Sequence, residues 1–473
     1  MRNKSFFKAY FQLTVALTAL FLTTYVRGDV YTVSAPDGHA ATDSYRVLVN
    51  GHEISVYRTP DQEEGSGEYY FATFEFDGEV TVEIKAPFSL AKSTVAPERY
   101  GVVIESLEEN NAVLHANEPF MVSFEPNGRV KPLILFGLAP EIDAPHEGDE
   151  NVVFFGPGEH SPGVVNLTDN QTLYVAAGAV VNGGVVARGD NITIRGRGVL
   201  SGANWKRYAG PTSFIINALD CKRLLIRDVL LREPWSWSCV LNNCEDVVID
   251  GLRICASNMI NDDALDICNS RRVEVRNCFF RAQDDSIAIK GIRKDHASCE
   301  DITIHDCTFW TDRANVFRIG YECEAKQMRN IVARNIDVLY YSVNYREHDH
   351  YWANAIVWLQ PNQELVMSDC HFEDFRIRSN GDSMIMLMAK PMSCHYGDFE
   401  NPVPGRLCDC SLSRFNVYGD RGSFGGELYF AGATPSSNVR GIKVSDFNYF
   451  GEGVKRDSPC VVVGDFVEDL EVK

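Results

Sequence analysis

Asp246-Val247-Val248-Ile249-Asp250-Gly251 is followed by Arg272-Val273-Glu274-Val275-Arg276-Asn277, then by Asp301-Ile302-Thr303-Ile304-His305-Asp306. Each is a short strand with apolar residues at alternate positions, closed by a residue suited to a turn. The pattern extends in both directions, to Asn191-Ile192-Thr193-Ile194-Arg195-Gly196, Arg223 to Asp228, Asn330 to Asn335, Glu364 to Asp369 and Gly441 to Asp446. The first apolar position falls at 192, 224, 247, 273, 302 and 331, so the period runs from 23 to 32 residues. Periods in this range mark a solenoid. Between the hexapeptides lie second short strands such as Ile287-Ala288-Ile289 and Phe317-Arg318-Ile319, and no helical period runs through them. Short strands that cannot bury themselves alone must stack, so the expected fold is all-β: a right-handed, single-stranded parallel β-helix. A leucine-rich repeat is the rival, but its Leu-x-x-Leu-x-Leu consensus is absent.

Ahead of the repeats, Tyr45 to Val49, Phe71 to Phe76, Val80 to Ile84 and Phe120 to Phe124 also alternate. Asn50-Gly51, Asp77-Gly78 and Asn127-Gly128 follow such runs and signal hairpins. An N-terminal β-sandwich over 29–145 is expected before the β-helix over 150–473, with Pro140 to Glu150 as a linker. Residues 1–28 read as a secretory signal: Arg2, Lys4 and Lys8 lead, Phe11 to Thr24 is mostly apolar, and Val26-Arg27-Gly28 invites cleavage before Asp29. An uncleaved anchor is the alternative. A secreted or periplasmic protein follows, free of the membrane once the signal is removed.

The 473 residues carry a net charge of −20, which argues against nucleic acid or an anionic membrane as partner. A polyanionic substrate would need a local basic site. The 14 cysteines begin only at Cys221. Cys278, Cys307 and Cys370 follow a turn residue in their repeats and are expected to stack as one ladder of buried thiols rather than to bind metal. A disulfide among Cys394, Cys408 and Cys410 stays open.

Two acidic clusters lie one repeat apart: Asn261-Asp262-Asp263-Ala264-Leu265-Asp266 and Gln283-Asp284-Asp285-Ser286. A single Asp at a coil corner is ordinary turn chemistry. Consecutive Asp pairs on neighbouring coils, which stack about 4.8 Å apart, would set carboxylates around one substrate bond. A calcium site made of the same oxygens is the alternative. No metal and no cofactor is called for. Arg318 should point outward one coil later, because Phe317 and Ile319 point in.

Asn261 to Ile267 resembles the Asn-Thr-Asp-Gly-x-Asp motif of glycoside hydrolase family 28, the polygalacturonase family, and Gln283 to Gly291 resembles its Asp-Asp-Cys-Ile-Ala-Ile-Lys-Ser-Gly stretch. Gly196 to Trp205 and Glu233-Pro234-Trp235-Ser236-Trp237 are similar to its Gly-x-Gly-x-Ile-Asp-Gly and Ser-Pro-x-Trp segments. The sandwich-plus-helix layout resembles dextranase and isopullulanase. The resemblance implies an inverting hydrolase with Asp284 as general acid and Asp263 and Asp285 as bases for the attacking water. Asp262 has no counterpart in the motif and reads as a spare carboxylate or a substrate contact. The family's Gly-His-Gly is replaced by Ala314-Asn315-Val316, and no cation matches its Arg-Ile-Lys near Asn354 to Leu359. Ordinary pectin is therefore doubtful as substrate, and Arg318 is the candidate substitute cation. Lys290, Asn315, Trp235 and Trp237, the last two of shared parity, join the substrate-binding set. So do His348 and Trp352 in the extra loop Tyr345–Trp352. The expected partner is a polysaccharide or oligosaccharide, acted on by a monomer. A uronate lyase or epimerase on the same fold, or a binding solenoid without turnover, are the alternatives.

Overall fold

The computed structural model describes residues 28–41, 43–60, 67–256, 258–293, 298–341, 353–393 and 403–473. Residues 1–27 of the expected signal segment, Cys394 and the loop carrying His348 and Trp352 lie outside them. Among the described residues no helix is long and apolar enough to cross a membrane.

Residues 29–138 form two sheets. One orders Asp29–Tyr31, Tyr69–Asp77, Leu133–Leu138, Phe120–Arg129 and Thr94–Ala96, with Val56–Thr59 also on Tyr69–Asp77. The other orders His52–Ile54, Arg46–Val49, Val80–Lys85, Asn111–Ala116 and Val103–Leu107. Their inner faces share one core in which Val47, Val82, Ile84 and Leu114 meet Tyr70, Phe74, Val122 and Leu135. This is a sandwich. Asn50-Gly51 makes the expected hairpin, both residues taking positive φ (49° and 88°) between paired strands. Asp77-Gly78 does not. Tyr69–Asp77 pairs with Leu133–Leu138 while Val80–Lys85 pairs with Arg46–Val49, so this turn carries the chain from one sheet to the other.

From Val152 onward the chain winds as a parallel β-helix, right-handed and single-stranded. Leu224, Val247, Val273, Ile302 and Ile331 stack coil upon coil. The hexapeptides work because their flanks can turn. Asp246, Arg272, Asp301 and Asn330 before them, and Gly251, Asn277, Asp306 and Asn335 at their ends, all adopt left-handed φ between 51° and 69°. Asn and Asp tolerate that region and also bond between coils. Asn277 Nδ2 donates to Asp250 at 2.9 Å and Asn330 Nδ2 to Asp301 at 2.6 Å. Arg272, a poorer left-handed residue, is held by Asp246 at 2.6 Å. Inside, aromatic rings stack between coils, with Phe375, Phe415 and Phe447 at centroid spacings of 4.4 and 4.6 Å.

The thiol ladder differs from expectation. Phe279 pairs with Thr308, which puts Cys278 against Cys307, but Cys307 then pairs with Ile336, and Cys370 pairs with Ile331. The long strand Val366–Asn380 spans two inward ladders, and Cys370 belongs to the other, beside Cys410. Every described cysteine is a free thiol, Cys408 and Cys410 included.

One sandwich face covers a row of outward apolar residues on the helix. Tyr69, Phe71, Ile134 and Phe136 pack against Val199, Leu230, Cys255, Phe279 and Trp310. Arg281, fully buried there, lies 3.9 Å from the Tyr69 ring centroid and 4.4 Å from that of Trp310, and its Nε donates to Asp312 at 2.9 Å. Residues 139–151, between the two parts, contain no strand but are fastened to both: Glu141 N–H donates to Glu75, and Arg195 donates to Glu141 at 2.9 Å.

Candidate active site

Cys239–Asn242, Leu265–Cys268, Ile287–Lys290, Phe317–Ile319 and Ala355–Leu359 stack in register, and the corners that precede them line one edge of the helix. Backbone bonds continue through these corners: Ser238 N–H donates to the Asp263 carbonyl, Ala264 to Asp285, and Ser286 to Asn315, at 2.8 to 2.9 Å. The acidic clusters are thereby held at coil spacing. Asp263, Asp284 and Asp285 converge, with an oxygen from each within 4.8 Å of the others. Asp263 and Asp285 are nearly buried, and Asp284 is half-buried.

Each carboxylate has a different surrounding. Asp285 Oδ1 accepts from the Asn315 N–H at 3.1 Å and Asn315 Nδ2 at 2.7 Å, and its Oδ2 faces Arg318 at 3.8 Å. Among the described residues, Asp284 accepts only the Asp285 N–H, at 3.0 Å. Burial, then the Asp285 charge, push Asp284 up to about 6 against the pull of Arg318 and Lys290. Asp263 is raised well above the usual range by burial and by Asp266, with Lys290 opposing. It accepts from Asn261 Nδ2 at 3.2 Å.

Several expected contacts face the protein instead. Asp262 is fully buried; its Oδ1 accepts from the N–H groups of Gln283 at 2.7 Å and Asp284 at 3.2 Å, and its Oδ2 from Asn258 at 3.2 Å. It clamps one corner to the next and is not a substrate contact. Lys290 is also buried, with Nζ 2.8 Å from Asp266, 3.1 Å from Glu322, 3.4 Å from Asp263 and 3.6 Å from the Trp237 centroid. Burial alone would lower it, but Asp266, Glu322 and Asp263 hold it well above its ordinary value. Its ammonium serves the acidic cluster rather than a substrate. Asn315 is buried, its amide spent on Asp285 and on the Ala355 N–H.

Arg318 does point outward, as expected, but lies against the Tyr321 ring at 3.9 Å and donates to Gln360 at 3.2 Å as well as facing Asp285. The two tryptophans of shared parity part company. Trp235 turns into the core, packs on Trp205 and donates its indole N–H to the Thr212 carbonyl at 2.8 Å. The corner between them breaks the alternation that parity assumes. Trp237 stays half-buried, stacked on Phe214 at 5.3 Å.

Asp266 and Glu322 were not singled out as site residues. Asp266 was legible, since it sits between inward Leu265 and Ile267 and must point out beside Lys290. Glu322 follows an irregular corner and carries no periodic signal. Burial raises Asp266 to about 7 against Lys290, while Lys290 holds Glu322 low.

The pattern of Glycosyl hydrolases family 28 matches residues 144–337. No curated protein sequence matches the chain. Among solved structures, the chain is similar to Dex49A from Penicillium minioluteum, with a TM-score of 0.59 at 12% identity, covering 94% of this chain and 96% of that one. It is also similar to a hyperthermoactive exopolygalacturonase from Thermotoga maritima, with a TM-score of 0.50 at 16% identity, covering 68% and 83%. At these identities the likeness is one of fold. Residues 144–337, which include all three converging aspartates, thus carry the sequence pattern of glycosyl hydrolases family 28.

Proposed function

We propose that this protein is a secreted polysaccharide hydrolase that cleaves O-glycosidic bonds by acid/base catalysis at Asp263, Asp284 and Asp285. The observation that carries the reading is the approach of three carboxyl oxygens to within 4.8 Å on the outward corners of adjacent coils. Asp284, whose charged form is penalised, is suited to hold a proton and pass it to the leaving glycosidic oxygen. Asp285, which accepts from Asn315 and faces Arg318, takes the proton of the attacking water. Asp263, with an oxygen within 4.8 Å of the other two carboxylates, positions the same water. The water oxygen bonds to the anomeric carbon as the glycosidic bond breaks.

The family resemblance favours single displacement, with inversion. The close carboxyl approach favours the opposite, since inverting pairs usually stand roughly 6.5–9.5 Å apart and retaining pairs about 5–5.5 Å. Proton NMR of the first product decides between them: inversion is expected, and retention of the anomer would make one aspartate a nucleophile.

Ordinary pectin is a poor candidate substrate. Among the described residues, the cations at the cluster, Lys290 and Arg318, already face carboxylates, so neither stands ready for a uronate. Assaying pectins, galactans, dextrans and algal glycans for new reducing ends tests the reading. Release from a glycan other than polygalacturonate is expected; release from none would sink the hydrolase reading, and an unsaturated product absorbing in the ultraviolet would replace it with a lyase. Secretion is tested by the N-terminus of the exported protein, expected at Asp29.

A further inference from the structure

Tyr208 lies in the loop between Val199–Ser201 and Ile216–Leu219. Ile216 pairs with Cys239 and Cys239 with Leu265, so this loop occupies the same edge as the acidic corners, two coils before Asp263. The loop is firmly seated without Tyr208. Trp235 bonds to Thr212, and Gly210 presses on the Trp235 indole so closely that a Cβ would come within 2.1 Å of it. The Tyr208 side chain adds nothing to that packing, being 61% exposed.

Its backbone nevertheless takes a left-handed φ of 57°, which a bulky residue adopts only under constraint. The constraints are visible. Its N–H donates to the Trp235 carbonyl at 2.7 Å. Arg207 lies over the ring at 4.7 Å and donates to the phenol oxygen at 2.9 Å. The phenol in turn donates to Asn261 Oδ1 at 2.6 Å, and Asn261 Nδ2 donates to Asp263 Oδ1 at 3.2 Å. A solvent-facing aromatic is thus oriented at both ends and tied through one amide to a carboxylate of the cluster. Trp237, half-buried, stands on the corner between the two coils.

We propose that Tyr208 is a sugar-binding and positioning residue. Its ring forms the wall of a subsite for a pyranose unit on the N-terminal side of the aspartates, and its hydroxyl, through Asn261, fixes the orientation of Asp263. The inference rests on the hydrolase reading for the second role only; the first requires just a bound glycan. A pyranose offers an apolar C–H face to an aromatic ring, a contact that needs the ring but not the hydroxyl. The two roles therefore separate by substitution.

Tetrasaccharides prepared from dextran, galactan and polygalacturonate are titrated into Asp284→Asn protein, which binds without cleaving. At least one should bind, and adding Tyr208→Ala should weaken it about tenfold, while adding Tyr208→Phe should change Kd less than about twofold. In the protein with Asp284 intact, Tyr208→Phe should lower kcat with KM unchanged and move the pH–rate profile. Thermal melts of each variant confirm the fold. Equal binding by the Tyr208→Ala protein, or binding of none of the three, overturns the subsite; an unchanged kcat and pH profile in Tyr208→Phe overturns the positioning role. Tyr208-dependent binding without any hydrolysis by the unaltered protein would sink the hydrolase reading and leave the subsite standing.

Discussion

Replacing Asp284 by Asn should abolish turnover and yet strengthen the fold. An Asp whose native pKa lies near 6 against an unfolded value of about 3.9 binds protons more tightly when folded. Stability from this group is therefore present at low pH, is lost as pH rises from about 4 to about 6, and stays lost above. Asp284→Asn removes the penalty, and at pH 7 a gain on the order of 1–3 kcal/mol should appear in denaturant melts, vanishing near pH 4. The same shift sets the rate. A general acid works only while protonated, so kcat should fall as pH rises through about 6, the limb belonging to the coupled cluster rather than to one residue. A rate that keeps rising to pH 8 would remove Asp284 from the acid role.

At this scale the sequence says which residues are unusual, not which way they face. Two Asp pairs one coil apart exceed what turns require, so the cluster was legible. Asp262 looks like its neighbours in the chain and differs only in aiming inward, a property that corners, lacking strict alternation, do not encode. Asn315 and Lys290 were legible as site residues by position, but their roles come from partners on other coils.

Corners, as elements, depend on their clamps. Asp262 accepts the N–H groups of both Gln283 and Asp284. Asp262→Ala leaves those two donors without their acceptor, which should cost about 2–4 kcal/mol and reduce kcat by displacing Asp284. Asp262→Asn, which keeps an acceptor, should cost less; equal effects in melts and rates would show that the clamp does not matter. Register was legible where hexapeptides repeat and illegible where strands lengthen. Val366–Asn380 holds two inward ladders in one strand, which moved Cys370 from the expected stack. Asp77-Gly78 shows the parallel limit in the sandwich: turn chemistry says that the chain bends, not which sheet receives it.

For the molecule as a whole, the sandwich is a cover as well as a domain. It hides outward apolar residues that a free β-helix would expose to water, and Phe136 meets Phe279 edge to face at 5.3 Å across the boundary. Phe136→Ala should cost about 3–5 kcal/mol. Calorimetry should find the loss at the boundary, as a single transition splitting into two; an unsplit, unshifted transition would mean that the contact carries little. Alternation and hairpin signals made both parts legible. Their docking was not, since an outward Leu230 or Phe279 reads as a lapse in pattern until its partner is known.

The proposed mechanism requires three carboxylates, distant in the chain, to act as one centre. Asp263→Asn, Asp284→Asn and Asp285→Asn, each verified as folded by circular dichroism, should be assayed on the glycan that the unaltered protein cleaves. Each should lose at least about 100-fold in kcat, and the triple variant little more than the worst single one. Near-normal turnover in any of the three would contradict it.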